Sequence, residues 1–433
     1  MKAVLTSSIL ATIFLSLASM AFAGTLIVGP SGCEPNFPHF ATIQAAVNAA
    51  PAAGAMVWVC PGTYPEQVQI IGKKVTLKGV SYQGSDAAII APPAGGLVPN
   101  ATSTFDGSEI EAMVLVQNSA AAVIEDLTVD ATNNGTQCGQ DPIGIFYQNA
   151  SGSITHNNVL HVQVPDGAGC QGGLGIYVES GATTIPPNPS NAANSTVSIT
   201  YNNVHDYDKN GITANGTLTG TTSNVGVTIK NNTVIGAGAT DQVAQNGIQL
   251  AGANGTIISN LIDGDWYTGS GGYAATGILI IQSTSPFVQS NNISNTNAGI
   301  YIQSVDPDDT DNATITKNTI TATHLYDGII LCANTSKATS NTINVADESG
   351  INVAACGDAA PVDTITSNTI NGACAGVLIA PPASATPSGT YFNVGSQTLT
   401  TSSDTCATPL VKRQSGRRPN RPTASPARKK ISP

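Results

Sequence analysis

Five acidic residues of this chain are candidates for a carboxylate pair. Hydrolysis of a glycosidic bond needs two carboxyl groups at a suitable separation, one as the acid and one as the base or nucleophile. Carboxylate oxygens also bind hard cations. The alternative is that these residues only stabilise turns, because Asp hydrogen-bonds its own backbone. The candidates for the acid, the base or cation ligands are Glu179, Asp206, Asp208, Asp263 and Asp265.

Six further residues in the same part of the chain are candidates for contacting a substrate. An aromatic ring offers an apolar face for sugar stacking, and an amide side chain hydrogen-bonds hydroxyl groups. With the acids, they predict a carbohydrate site. The six are Phe146, Tyr177, Gln249, Trp266, Tyr267 and Tyr301.

One acidic loop, "DPDDTDN", suggests a calcium site, so the expectation is either calcium or no cofactor. Carboxylate oxygens suit Ca²⁺, although the loop lacks the spacing and the glycine of an EF-hand. Its ligands would be Asp306, Asp308, Asp309 and Asp311. The five histidines are scattered; His156 and His161 have no Cys or Asp at metal-ligand spacing, and we interpret them as surface turn residues.

The first 23 residues predict export. Met1 and Lys2 precede an apolar run that ends in Ala-Phe-Ala before Gly24, the pattern of a secretory signal peptide. No later stretch approaches the ~18 apolar residues of a membrane span. We therefore expect no membrane span, and a protein that is secreted, periplasmic or on the cell surface.

All eight cysteines follow Gly24, and an even number in an exported chain favours disulfides. Sequence order suggests the pairs Cys33–Cys60, Cys138–Cys170, Cys332–Cys356 and Cys374–Cys406.

The charged residues divide the chain into an acidic body and a basic tail. Residues 24–409 hold seven lysines, no arginine and 27 acidic residues, which gives a formal charge of −20. Such a body repels polyanions, so we expect no nucleic-acid partner for it, and we expect a monomer. Residues 410–433 are rich in Pro and carry eight basic residues, which predicts a disordered basic tail. The alternative is a tail that anchors the protein to anionic envelope polymers or nucleic acid.

A repeated sequence pattern positions the candidate site residues. An apolar residue, two others, Asn, one other and then an aliphatic residue recur eight times from residue 154 onward, with Ala338 at one apolar position. Between them stand Gly-Ile or Gly-Val pairs whose alternation predicts strands with one buried face. Coils ~4.8 Å apart would stack the Asn side chains into a ladder, with Asn itself in the left-handed turn. The Asn positions are 157, 202, 232, 260, 291, 318, 341 and 368.

These units resemble the repeats of a parallel β-helix, and "FATIQAAVNAAP" with "VWVCPGTYPE" is similar to the N-terminal cap of the pectin-lyase-like superfamily. The resemblance covers about residues 37–380 and implies an all-β, right-handed parallel β-helix over residues 24–409. Residues 24–62 would form its cap, with a short helix burying Ile43, Val47 and Ala50. "GTYPE" resembles a pectinesterase signature, but a structural role at the first coil is sufficient to explain Glu66.

This sequence lacks the catalytic motifs of the well-known enzymes of this superfamily. Pectate lyases of this fold use a basic residue, usually Arg, and no Arg precedes Arg413. The downstream motifs of pectinesterases and the Gly-His-Gly and Arg-x-Lys motifs of polygalacturonases are absent. If the protein is an enzyme, it would be a polysaccharide hydrolase, or a lyase with Lys209 or Lys230 as base.

The residue after each Ile of the Gly-Ile strands should point outward. On that face we expect an exported β-helix to bind, and if it is an enzyme to cleave, an extracellular polysaccharide or cell-surface glycan. The alternative is a structural or adhesive solenoid without catalysis.

Overall fold

The computed structural model describes residues 24–84, 87–164, 169–181, 194–219, 222–270, 273–303, 312–324, 326–332, 335–346, 348–355 and 361–401. The predicted signal peptide, the predicted calcium ligands Asp306 to Asp311 and the basic tail lie outside these ranges.

Three long parallel sheets, here called A, B and C, run along the molecule. The chain visits A, B and C in turn and then returns to A one coil further on, so each strand pairs with strands of the preceding and following coils. The prediction of a parallel β-helix is confirmed.

The strands of sheet A, in order across the sheet, are His39–Phe40, Thr25–Val28, Ala55–Val59, Val75–Gly79, Ala122–Glu125, Gly152–Thr155, Ser195–Thr200, Val225–Lys230, Asn254–Ile258, Phe287–Gln289, Thr314–Thr316, Lys337–Thr339, Val362–Thr366 and Ser384–Ala385. Those of sheet B are Gly62–Pro65, Ala88–Ala91, Thr128–Asp130, Asn158–Leu160, Asn203–His205, Thr233–Thr240, Leu261–Tyr267, Asn292–Thr296, Thr319–Thr323, Thr342–Ala346, Asn368–Asn371 and Gly389–Phe392.

The strands of sheet C are Val68–Ile71, Glu109–Gln117, Gln140–Gln148, Leu174–Glu179, Asn210–Asn215, Asn246–Ala251, Thr276–Ile281, Ala298–Gln303, Ile329–Cys332, Ser349–Ala354, Ala375–Ala380 and Ser396–Thr400. Ala101–Thr102 pairs antiparallel with Glu109–Gln117, and Leu218–Thr219 pairs antiparallel with Thr222–Ser223.

The inward side chains of the three sheets form one continuous apolar core. Ile and Val of successive coils stack there, as in the buried series Ile199, Ile229 and Ile257 of sheet A. The recurring glycines of sheet C lie against this stack. A Cβ on Gly211 would come within 2.3 Å of Val234 and 2.7 Å of the Gly247 carbonyl, so only glycine fits there.

The asparagine ladder forms as predicted. Each of the first seven Asn side chains donates through Nδ2 to Oδ1 of the next Asn at 2.9–3.0 Å, from Asn157 through to Asn368. All eight are buried. The left-handed position is not the Asn, however. It is the residue before it, with φ of 55–58° at His156, Tyr201, Asn231, Ser259, Ser290, Lys317, Ser340 and Ser367.

A short helix, Ile43–Ala49, closes the N-terminal end. Ile43, Val47 and Ala50 are buried in the core, as predicted. Glu66 of "GTYPE" accepts hydrogen bonds from the backbone N–H groups of Ile43 at 2.7 Å and Gln44 at 2.8 Å. Glu66 therefore caps this helix, which gives the motif its structural role.

Two predicted disulfides are present, Cys33–Cys60 in the cap and Cys138–Cys170 between two loops that precede strands of sheet C. Cys332 and Cys374 are also disulfide-bonded. Their predicted partners, Cys356 and Cys406, lie outside the described ranges. Disulfides fit a protein that folds in an oxidising compartment.

Candidate functional site

Four of the six predicted binding residues lie in one column on the outward face of sheet C. Phe146 pairs in register with Tyr177, and Tyr177 with Thr213. Thr213 then aligns with Gln249, and the column continues through Leu279 to Tyr301. The alternation of the Gly-Ile strands thus predicted the outward positions correctly.

The first two members of this column are not open platforms. Phe146 and Tyr177 stack at 4.9 Å between ring centroids, almost parallel, and both are buried. They belong to a small apolar cluster outside the main core, formed with Leu115, Ile143 and Leu174 among others. The expectation that these two rings stack on a sugar from solvent is corrected, because the face is closed here.

Glu179 is also closed off. Its side chain accepts hydrogen bonds from the Ser103 hydroxyl at 3.2 Å and from the backbone N–H and hydroxyl of Thr104. Burial raises its pKa, although the hydrogen bonds from Thr104, Tyr177 and Ser103 act in the opposite direction. Glu179 therefore holds the 101–108 loop across this end of sheet C.

A polar network occupies the next three coils of the same face. Asn246 donates to Asn210 Oδ1 at 2.9 Å and accepts from the Thr276 hydroxyl at 2.5 Å. Asn210 in turn donates to the Thr213 hydroxyl at 3.0 Å. All of these side chains are buried. Asn210, Asn246 and Thr276 were not predicted from the sequence, although each stands directly before the glycine of a Gly-Ile pair.

In the part of the chain that the structure describes, two buried polar atoms on adjacent strands of this face lack a hydrogen-bond partner, and a third, Asn352 Oδ1, lies further along it. Gln249 is 3% exposed, and its Nε2 has no acceptor. Asn215 is 1% exposed; its Nδ2 donates to the Tyr177 hydroxyl at 2.9 Å, but its Oδ1 has no donor. An unsatisfied buried polar group costs about 1–3 kcal/mol. The face therefore presents one unused donor and one unused acceptor on adjacent strands.

Burial decreases along the column after Gln249. Leu279 and Tyr301, the next two outward residues, are only partly buried. The polar network is thus continued by an apolar side chain and an aromatic ring. Trp266 is partly buried and stacks on His324 with 3.9 Å between ring centroids, whereas Tyr267 is buried.

One cation stands at the corner where sheet B leads into sheet C. Lys209 Nζ donates to Gln171 Oε1 at 2.8 Å and to the Ala244 carbonyl at 3.1 Å. Burial lowers the pKa of this ammonium to about 8. Lys209 directly precedes Asn210, so it borders the polar network.

The other four acidic candidates do not join Glu179. Asp265 is buried and accepts from the Tyr207 hydroxyl at 2.7 Å; burial raises its pKa well above the usual range. Asp208 accepts from the Val164 backbone at 2.6 Å. Asp263 accepts from Ser294 at 2.5 Å and Asn295 at 2.8 Å on the outward side of sheet B. Asp206 also lies on sheet B, among histidines. The five acids are thus distributed over several places.

Two further observations concern metal and membrane. Within the described ranges, no three His, Cys, Asp or Glu side chains converge as metal ligands. Across the same ranges, no helix has the length and apolar character that crossing a bilayer requires.

Comparison with known proteins supports the fold. No protein-family model and no curated protein matches the chain. Among solved structures, the GH136 lacto-N-biosidase from Eubacterium ramulus aligns at 11% identity with a TM-score of 0.55, over 86% of this chain and 68% of that one. The A-module of the Azotobacter vinelandii mannuronan C-5 epimerase AlgE4 aligns at 14% identity with a TM-score of 0.53, over 83% and 94%. At such identities the likeness concerns the fold alone.

Proposed function

We propose that this protein is exported and binds an extracellular polysaccharide on the outward face of sheet C. The observation that carries the proposal is the pair of unpartnered buried groups, Gln249 Nε2 and Asn215 Oδ1. A sugar hydroxyl both donates and accepts hydrogen bonds, so a carbohydrate can satisfy both groups at once. Ligand sites are built in this way, from a few placed polar groups beside apolar surface.

The neighbouring side chains support a carbohydrate ligand. Tyr301 and Leu279 continue the face with partly exposed aromatic and aliphatic surface, suited to the apolar side of a sugar ring. Asn210, Asn246 and Thr276 add amide and hydroxyl groups. Two proteins with the same fold are, by their names, a lacto-N-biosidase and a mannuronan C-5 epimerase, so the fold supports carbohydrate chemistry elsewhere.

Charge favours a neutral polysaccharide. The body of the chain is strongly acidic, which opposes the approach of a polyanion. We therefore expect neutral glycans to bind more tightly than uronic-acid polymers. Because Gln249 and Asn215 are at most 3% exposed, the face must open to admit a ligand. Association should then be slower than typical encounter rates, since binding requires a conformational change.

The test is to titrate the full-length protein with a panel of neutral and acidic polysaccharides, comparing wild type with Gln249→Met and Asn215→Leu. We expect each variant to lose at least tenfold in affinity. Each variant removes an unsatisfied buried group but also one buried hydrogen bond, from Asn246 to Gln249 or from Asn215 to Tyr177, so its melting temperature should change little. Asn203→Leu is the matched control, since it removes an exposed amide from sheet B.

Unchanged affinity in both folded variants would refute the proposed site. No binding across the panel would refute the proposed function. Attachment to whole cells that survives both substitutions would then favour the adhesive solenoid. Release of reducing ends during the same titration would show that the protein also cleaves its ligand.

A further inference from the structure

Four titratable side chains meet on the outward side of sheet B, away from the polar network of sheet C. Asp130, Leu160 and His205 are aligned in successive coils. His161 and Asp206 follow the ends of their strands in the left-handed conformation, with φ of 58° and 55°. This backbone turn brings His161 beside Asp130 and Asp206. The four side chains are between 27% and 46% exposed.

Asp130 fixes the proton on one nitrogen of His161. Asp130 Oδ1 lies 2.9 Å from His161 Nδ1 and accepts from the Thr132 hydroxyl at 2.6 Å. The Thr132 hydroxyl oxygen also lies 2.8 Å from His161 Nδ1 and, because its own hydrogen goes to Asp130, it can only accept from that nitrogen. An ionised carboxylate only accepts hydrogen bonds. His161 Nδ1 therefore carries a hydrogen, and Nε2 of the neutral ring carries a lone pair.

The carboxylate of Asp206, which is also a hydrogen-bond acceptor, lies near that nitrogen. His161 Nε2 lies 3.7 Å from Asp206 Oδ2, which is too long for a hydrogen bond. The same Oδ2 lies 2.7 Å from His205 Nδ1, which can donate to it. When the ring is neutral, its unprotonated nitrogen and a carboxylate oxygen thus lie 3.7 Å apart, a gap that suits a cation.

We propose that His161 Nε2 and Asp206 Oδ2 bind a divalent first-row transition-metal ion such as Zn²⁺. Zinc binds nitrogen and carboxylate oxygen at about 2.0–2.2 Å, so two such ligands on a tetrahedral ion lie about 3.4 Å apart. The observed gap needs only a small movement to match this. A carboxylate on the far nitrogen of a metal-binding histidine is the usual supporting contact, and Asp130 supplies it.

The site would be open rather than structural. No third protein ligand converges on it within the described ranges, so water or a hydroxyl group of another molecule would complete the coordination. Imidazole with carboxylate favours Zn²⁺, Cu²⁺ or Ni²⁺ over Ca²⁺ and Mg²⁺. This site shares no residue with the predicted calcium loop, and it does not depend on the proposed function, which concerns sheet C.

The experiment is a Co²⁺ and Zn²⁺ titration of untagged, full-length protein after chelator treatment, followed by visible absorption and calorimetry. We expect one saturable ion per chain. His161→Asn and Asp206→Asn should weaken binding at least 100-fold, and Asp130→Asn should weaken it about 10–100-fold. Asn tolerates the left-handed conformation that His161 and Asp206 adopt, so these variants should fold.

His156→Asn is the matched control. His156 adopts the same left-handed conformation and stacks on Tyr201 at 4.9 Å between ring centroids. Binding should be unchanged in this variant. A titration without saturable Co²⁺ absorption would overturn the proposal, and so would equal affinity in folded His161→Asn. As a check that needs no variant, Zn²⁺ should shift the His161 imidazole resonances of the wild type. Resonances that do not move would also overturn the proposal.

Discussion

Asn232 donates its side-chain N–H to Asn260 Oδ1 at 3.0 Å and its backbone N–H to the same oxygen at 2.9 Å. One carbonyl oxygen thus satisfies two buried donors of the preceding coil, and the contact repeats along the ladder. Asn260 donates the same two hydrogen bonds to Asn291 Oδ1. The ladder therefore couples each coil to the next in the interior, where water cannot replace a lost partner.

We expect Asn260→Ala to lower the free energy of unfolding by about 3 kcal/mol or more, because it leaves two buried donors of Asn232 without an acceptor. Urea denaturation measures this change. Asn203→Ala is the control. Asn203 is an exposed asparagine that bonds to Asn158 on the outside of sheet B, and its loss should change stability by less than about 0.5 kcal/mol. Equal effects of the two substitutions would contradict the role given to the ladder.

The left-handed residue before each ladder asparagine gives a second prediction. Ser259 is exposed with φ of 56°, a conformation that strains a side-chain-bearing residue by about 1–2 kcal/mol. Glycine avoids this strain, at an entropic penalty of about 0.5–1 kcal/mol. Ser259→Gly should therefore raise the unfolding free energy by up to about 1 kcal/mol, while Ser259→Val should lower it.

Thermal and urea denaturation of both variants measure the effect. Ser198→Gly is the control, since Ser198 lies within a strand of sheet A and glycine should destabilise it there. A gain in stability from Ser198→Gly as large as that from Ser259→Gly would show that left-handed strain is not the cause.

The fold was predictable because one asparagine recurs in the same position of eight coils. The ladder allows few other residues there, so the sequence repeats it visibly. The left-handed turn before each ladder asparagine was harder to predict from the sequence. The left-handed residue is His, Tyr, Asn, Ser or Lys in different coils, so its type carries no signal.

The site was only partly predictable, because burial on an outward face depends on segments far away in the sequence. Glu179 is covered by Ser103 and Thr104, more than 70 residues earlier. His161 was interpreted as a surface turn residue, since the sequence places no Cys or Asp at metal-ligand spacing from it. Only the stacking of coils with loops of unequal length brings His161 beside His205 and Asp206.

Glu66 provides a test of the "GTYPE" segment. Its two carboxylate oxygens bond the N–H groups of Ile43 and Gln44 at the start of the capping helix. Glu66→Ala leaves both donors without this partner, and we expect a loss of about 2 kcal/mol in unfolding free energy. Amide hydrogen exchange should increase over residues 43–49. Polysaccharide binding at saturating concentration should be unchanged. A variant of normal stability that no longer binds would instead indicate a functional role.

The Cys138–Cys170 disulfide should affect Lys209. The bond links two residues 32 positions apart, and the chain-entropy model gives about 3–4 kcal/mol for a loop of that length. Gln171, which accepts from Lys209 Nζ, is adjacent to Cys170. We therefore expect Cys138→Ser with Cys170→Ser to lower stability by this amount and to raise the Lys209 pKa from about 8 towards its usual value.

Reductive methylation of Lys209 as a function of pH, followed by mass spectrometry, measures that pKa. Lys230 is the internal control, because its backbone position on sheet A is remote from the disulfide. A Lys209 pKa that stays near 8 in the double-serine variant would mean that the disulfide does not maintain the burial of Lys209.

Stability should decrease as pH rises from about 4 to 7. Burial raises the pKa of Asp363 to about 7 and that of Asp141 to about 6. A carboxyl group with a raised pKa holds its proton in the folded state after the unfolded chain has lost it, so stability is full below the unfolded pKa. This stability is lost as the pH rises from the unfolded pKa through the folded pKa, by up to about 1.4 kcal/mol per pH unit for each group.

Asp363→Asn should flatten this dependence. Asp363 is 4% exposed, and its Oδ1 accepts from the Ser336 backbone at 2.6 Å. The amide oxygen of Asn can keep this bond without ever ionising. We expect the variant to match wild type near pH 4 and to be more stable above pH 7, as measured by urea denaturation at each pH. Asp241→Asn, at an exposed residue, should keep the wild-type slope. Parallel curves for Asp363→Asn and wild type would show that Asp363 ionises in the folded state as easily as in the unfolded chain.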